Sequence, residues 1–153
     1  MQALDEYDKA LLRLLQQNNR LTTEQLAGKV NLSQSAIQRR LVRLREEKII
    51  EADVSIVSPR AAGVGIVCIV DVVFHECGSK AIDNFKKVIS KCPEVTQCYY
   101  VTGTYDFVLI VQTRDMSHFE EFQKKILLDN SNLKHFYTHV VMDKVKVSYG
   151  VVI

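Results

Sequence analysis

Two helix-start signals stand only eleven residues apart in the first quarter of the chain. The run Thr22-Thr-Glu-Gln25 is a capping box, in which the Thr22 hydroxyl and the Gln25 side chain each satisfy an orphan backbone amide. Ser33 is the second start, with Leu32 before it and Ile37 after it placed as a hydrophobic staple. Little room is left between them for anything but one short helix, with Leu26 and Val30 inward, and a tight turn at Asn31-Leu32. A longer helix over 4–18 precedes the pair, with Asp5 as N-cap and Tyr7, Leu11, Leu14 and Leu15 at one-face spacing. Asn18-Asn19 ends it with residues that tolerate left-handed backbone. The spacing therefore predicts a three-helix unit whose last two helices form a helix-turn-helix.

The third helix is two-faced. At 100° per residue Ile37, Leu41 and Leu44 share one side, and Ser35, Gln38, Arg39, Val42 and Arg43 share the other. Segment 33–45 holds Arg39, Arg40, Arg43 and Arg45 and no acid, although the whole chain carries a formal charge of only +2. A positive charge concentrated on one exposed helix is the footprint of a nucleic-acid contact. In a helix-turn-helix the N-terminal half of the later helix meets base edges. Ser33, Gln34, Ser35, Gln38 and Arg39 stand there; Gln pairs bidentately with adenine and Arg with guanine. Arg43 and Arg45 lie further along, where phosphate contact is expected, and Arg40 sits on the flank, where an ion pair is the plainer role.

Beyond the third helix, Ile50-Glu-Ala-Asp-Val-Ser-Ile56 alternates apolar and polar and reads as a half-exposed strand stopped by Ser58-Pro59. Pro59 to Gly65 reads as a linker, giving domains at 1–60 and 61–153. The second domain shows strands at 65–75, 95–102, 105–112 and 133–142 and helices at 79–91 and 115–128. The order βαββαβ makes the fold class α+β, a helix-turn-helix domain followed by a ferredoxin-like one. Cys68, Val70, Val72 and Phe74 point to one face of the first strand and Val67, Ile69 and Val73 to the other. A sheet wet on one face alternates more cleanly, so the second face is expected to pack on another subunit, most simply as a two-fold dimer. Between the middle strands Gly103 supplies positive φ for a turn. Asp106 and the polar edge of Tyr100, Thr102 and Thr104 stand beside it. A zwitterion needs an acceptor for its ammonium and amide donors for its carboxylate, and this loop offers both.

Hydrophobic residues make up 47% of the chain and charged ones 25%, enough for a packed core, which argues against disorder. No basic segment followed by an apolar one opens the chain, and the longest apolar run, Val64 to Val70, is too short for a bilayer. Cys68, Cys77, Cys92 and Cys98 show no C-x-x-C spacing and read as reduced thiols. His135 and His139 would stand roughly 13 Å apart on a strand, too far to share a metal. No metal site, cofactor motif or catalytic constellation is recognised, so an enzyme is not expected.

The chain resembles the Lrp/AsnC family of feast/famine regulators. The first half carries the resemblance in Leu4-Asp5, Asp8, Leu11-Leu12, Asn19-Arg20, Leu26-Ala27, Leu32-Ser33, Arg39-Arg40-Leu41 and Arg43-Leu44. The second carries it in Thr102-Gly-Thr-Tyr-Asp106 with Phe107-Val-Leu, and in Val140-Val-Met-Asp-Lys144. The resemblance implies a transcription regulator acting on double-stranded DNA in the cytoplasm, at the nucleoid. It also implies dimers that assemble further, often to octamers, and an amino acid as effector, held by the loop of Tyr100, Thr102, Gly103, Thr104, Tyr105 and Asp106. The recognition helix opens Ser33-Gln-Ser-Ala36 instead of the Ser-Pro-x-Pro or Ser-x-x-Thr of many members, which leaves the operator sequence open. An architectural DNA-compacting protein would use the same contacts.

Overall fold

A computed structural model describes residues 3–75 and 78–153. Cys77 lies outside the described residues. The chain divides into two compact units, one of Met1–Ile56 with Lys146–Ile153 and the other of Val57–Val145. Sequence alone assigns 146–153 to the second domain; in the structure it belongs to the first.

The first unit contains α1 (Glu6–Gln17), α2 (Thr23–Val30) and α3 (Gln34–Glu46). All three helices start at side-chain caps. Asp8 N–H donates to the Asp5 carboxylate at 2.8 Å and Asp5 N–H to that of Asp8 at 3.2 Å, a reciprocal box. Thr22 and Gln25 form the second box, and the Ser33 hydroxyl accepts from Ala36 N–H at 3.2 Å. Between α2 and α3 the turn is made by Asn31 with φ 54°, a left-handed conformation that asparagine tolerates better than most residues. Leu11, Leu26, Ile37 and Leu44 are fully buried, and Leu12, Val30 and Leu41 close the cluster. The inward stripe of α1 is Asp8, Leu11 and Leu12, not the expected stripe through Tyr7, which is half exposed with the Arg40 guanidinium 5.5 Å over its ring.

Lys48, with φ 58°, ends α3, and the amides of Ile49 and Ile50 both return to the Leu44 carbonyl at 2.9 Å. The strand expected over 50–56 is not formed. The segment has no regular secondary structure, Val54 and Ile56 are largely exposed, and no ladder pairs with it. Alternation reports a strand's faces; it cannot supply the neighbour whose hydrogen bonds define one. The tail 146–153 likewise forms no helix or strand. Gln16 grips Val151 in both directions, accepting from its amide at 2.5 Å and donating to its carbonyl at 3.2 Å. Arg13 donates to the Ile153 carbonyl at 2.9 Å, and Ile153 packs on the cluster of the three helices.

The second unit contains β1 (Ile66–Phe74), α4 (Ser79–Ile89), β2 (Val95–Tyr100), β3 (Phe107–Thr113), α5 (Met116–Phe122) and β4 (Leu133–Val140). The order is βαββαβ and the strands lie β2-β3-β1-β4, every pair antiparallel. Cys68, Val70, Val72, Leu109 and Val111 pack on Phe85, Phe119 and Phe122 from the helices. The second helix departs from expectation at its end: after Phe122 the backbone runs on as a π-helix over Gln123–Leu128. On the other sheet face Val67, Ile69, Val73, Val108 and Ile110 are only partly covered. The Asp71 carboxylate is buried there, 3.1 Å from His139 Nε2.

Candidate nucleic-acid interface and loop

The arginines of α3 sort into two kinds. Arg40 donates to Asp5 at 2.7 Å and to Asp8 at 2.8 Å, and Arg43 donates to the other oxygen of Asp8 at 2.7 Å. Asp8 is almost fully buried, so one carboxylate of α1 clamps two guanidiniums of α3. Burial alone would raise its pKa; the hydrogen bonds from Arg43 and Arg40 outweigh burial and hold it below the ordinary carboxylate value. The ion pair expected of Arg40 is there. Arg43, expected to face outward toward phosphate, is instead turned back onto α1. The signal in sequence was the acid itself: Asp8 sits on the inward face with Leu11 and Leu12, where an unpaired charge is costly.

Arg45 is also paired, to Asp53 at 2.9 Å, but both side chains are about two-fifths exposed, at 42% and 43%. Such a surface pair is weak enough to exchange for a phosphate. Gln34, Gln38 and Arg39 are exposed and make no side-chain hydrogen bond or ion pair among the described residues. Ser33 and Ser35 bring their hydroxyls within 3.1 Å of each other at the same end. The structure thus gathers Ser33, Gln34, Ser35, Gln38 and Arg39 on the open N-terminal half of α3 and takes Arg40 and Arg43 away from it.

The loop between β2 and β3 is divided differently. Gly103 has φ 122°, as the turn requires. Val101 N–H bonds the Asp106 carbonyl at 2.9 Å, and Asp106 N–H bonds the Val72 carbonyl at 2.9 Å. The Asp106 carboxylate accepts from Phe74 N–H at 2.8 Å, tying the loop to the end of β1. Thr102, Gly103 and Thr104 form the exposed tip. Tyr100 stacks on Phe107 at 5.0 Å with the Lys86 ammonium 4.8 Å over its ring, on the helix side of the sheet. Tyr105 meets Tyr137 at 6.0 Å on the opposite side. The six residues therefore do not converge on one pocket within a single chain. Among the described residues no cluster of His, Cys, Asp and Glu has the geometry of a metal site, and no helix is long and apolar enough to cross a membrane.

Comparison with known proteins agrees with both halves. Residues 4–45 match the AsnC-type helix-turn-helix domain and residues 67–151 the Lrp/AsnC ligand binding domain. The chain is 50% identical, over 97% of its length and 88% of the relative's, to an uncharacterised HTH-type transcriptional regulator of Sinorhizobium fredii. It is 31% identical to the DNA-binding transcriptional activator DecR of Escherichia coli, covering 94% of each. Among solved structures, a transcriptional regulator of Neisseria meningitidis in complex with L-methionine superposes with a TM-score of 0.91 at 29% identity, over 97% of this chain and 96% of that one.

Proposed function

From the premise that this chain belongs to the Lrp/AsnC family of helix-turn-helix transcriptional regulators, we propose that it reads a two-fold DNA operator as a dimer, with the N-terminal half of α3 in the major groove. The observation that carries this reading is the sorting of the α3 arginines. Asp8 takes Arg40 and Arg43 as structural partners, which leaves Arg39 and Gln38 as the base-reading pair, flanked by Ser33, Gln34 and Ser35. Arg39 suits guanine and Gln38 adenine. Arg45 leaves Asp53 for a backbone phosphate. Such a regulator works in the cytoplasm, on the nucleoid.

The partly covered sheet face, and the exposed apolar residues Val54, Ile56, Val57, Val145 and Val147 along two segments outside any helix or strand, support burial against further copies of the chain. By analogy with the methionine-bound neighbour, a small amino acid acts as effector; the exposed tip Thr102-Gly103-Thr104 is the place we assign to it, and since the six loop residues do not converge within one chain, a second copy would have to complete the site. Asp106 orders the loop there.

The test is titration of the full chain with a duplex selected from a random pool and with a random duplex, at several salt concentrations. Arg39→Ala weakens the selected duplex by roughly 1–3 kcal/mol and leaves random DNA nearly unchanged. An unaltered ratio between the two duplexes removes Arg39 from base reading. A pool that yields no two-fold consensus favours an architectural DNA-binding protein instead.

A further inference from the structure

Most of the circumference of α3 is used within the first unit. Ile37, Leu41 and Leu44 are buried in the three-helix core, and Arg40 and Arg43 are drawn back onto Asp8. One arc stays open. At about 100° per residue, Gln34 and Arg45 stand at one margin of it and Arg39 at the other, with Ser35, Gln38 and Val42 between them. Val42 is near the middle of the arc and is its one apolar residue.

Val42 is 42% exposed. Among the described residues it belongs neither to the buried cluster of the three helices nor to the partly buried side chains packed on that cluster. Tyr7 is the other large apolar side chain exposed on these helices, and it serves as a platform for the Arg40 guanidinium. A β-branched residue also suits a helix less well than glutamine, arginine or lysine. Neither the core nor the helix therefore explains a valine at this position.

Single exposed apolar residues are ordinary on protein surfaces; what sets this one apart is its company. Ser35, Gln38, Arg39 and Val42 fall at i, i+3, i+4 and i+7, the spacing at which a homeodomain's recognition helix presents its base-contacting side chains to the major groove. A helical side chain leans toward the N-terminus of its helix, so the Val42 methyls lie beside Gln38 and Arg39, one turn earlier. Glu46 follows one turn later and ends the run with an acid, which phosphates repel. In the major groove the base edges carry donors, acceptors and a single methyl group, the 5-methyl of thymine.

We propose that Val42 is a third base-reading residue, packing on the 5-methyl group of a thymine next to the bases read by Gln38 and Arg39. The inference rests on the reading of α3 as the groove helix. At a rise of about 1.5 Å per residue Val42 stands about 6 Å beyond Gln38 along the helix, roughly two base-pair steps of about 3.4 Å. Each half-site thus holds a thymine, on one strand or the other, within about two base pairs of those contacts.

The experiment replaces each thymine of the selected duplex in turn by uracil, which deletes the methyl and keeps the pairing. Each duplex is titrated with the full-length wild type, Val42→Ser and Val42→Ile at one salt concentration. One position per half-site is expected to cost the wild type about fourfold in affinity, the worth of one buried methyl. Val42→Ser, an exposed change, binds the thymine duplex several-fold more weakly and distinguishes thymine from uracil by less than twofold; Val42→Ile keeps the distinction. Any effect of uracil on the DNA itself appears equally with Val42→Ser, so the cycle isolates the contact. A wild type indifferent to every replacement overturns the proposal. So does a thymine preference that survives in Val42→Ser, since another residue then meets the methyl. If either happens while Arg39→Ala still erodes the preference for the selected duplex, Val42 alone is removed and α3 remains the reader. A random pool that yields no consensus overturns both.

Discussion

Asp8 and Glu94 are both carboxylates withdrawn from water and both held below their ordinary pKa, but by opposite means. Asp8 meets two guanidiniums, so its charge is neutralised and α1 is pinned to α3. Glu94 meets the Cys92 thiol and the His118 imidazole, so it is satisfied in hydrogen bonds but not in charge. The difference teaches how to tell an acid that builds a fold from one that is left for something else. Hydrogen-bond satisfaction is common to both; only the count of opposite charges separates them.

The largest expected effect is on the first. Asp8→Ala leaves Arg40 and Arg43 against a carboxylate that has gone. Breaking a buried pair costs about 3–5 kcal/mol, and the arginines are a quarter exposed, so a loss of about 2–3 kcal/mol is expected in the first unit. Amide hydrogen exchange across α1–α3 measures it, and unchanged protection would show the clamp to be ornamental. The same pair sets an acid limit. Because the folded pKa of Asp8 is depressed, its contribution is full above the unfolded value near 3.8 and is lost as pH falls through the folded value. Helical circular dichroism of the wild type should therefore fall more steeply below that pH than that of Asp8→Asn.

Next comes Arg43→Ala, expected to cost about 1–2 kcal/mol of stability by removing one of two partners from a buried acid. It leaves the preference for operator over random duplex intact, the reverse of Arg39→Ala. Should Arg43→Ala instead flatten the salt dependence of binding without touching stability, the guanidinium faces phosphate on DNA. The smallest effect is Glu94→Gln. With no cation to strand, it should cost less than about 1 kcal/mol, read as hydrogen exchange of α4 and α5. A loss as large as that of Asp8→Ala would erase the distinction between the two acids.

Near-neighbour signals were legible in the sequence. The caps at Asp5, Thr22 and Ser33 each join residues three apart, and the stripe Ile37, Leu41, Leu44 repeats within one helix, so a local reading suffices for both. The alternating run 50–56 misled because a strand is a relation between two segments. Asp8 was missed as a clamp because its partners lie 32 and 35 residues away. Tyr100 and Tyr105 look adjacent in sequence, yet the turn sends their rings to opposite faces of the sheet. Lys125 and Ile126 were placed in an ordinary helix, since nothing in their residue types announces a π-helix.

The tail that Gln16 grips makes the first unit discontinuous along the chain, with the second unit nested inside it as an insertion between residues 56 and 146. A clip after residue 56 would therefore release an incomplete reader. Excising 57–145 as one block and bridging the gap with a flexible linker would keep both pieces of the first unit. In a nested chain the two units cannot be exchanged by a single crossover; any recombination that swaps the second unit cleanly must cut twice.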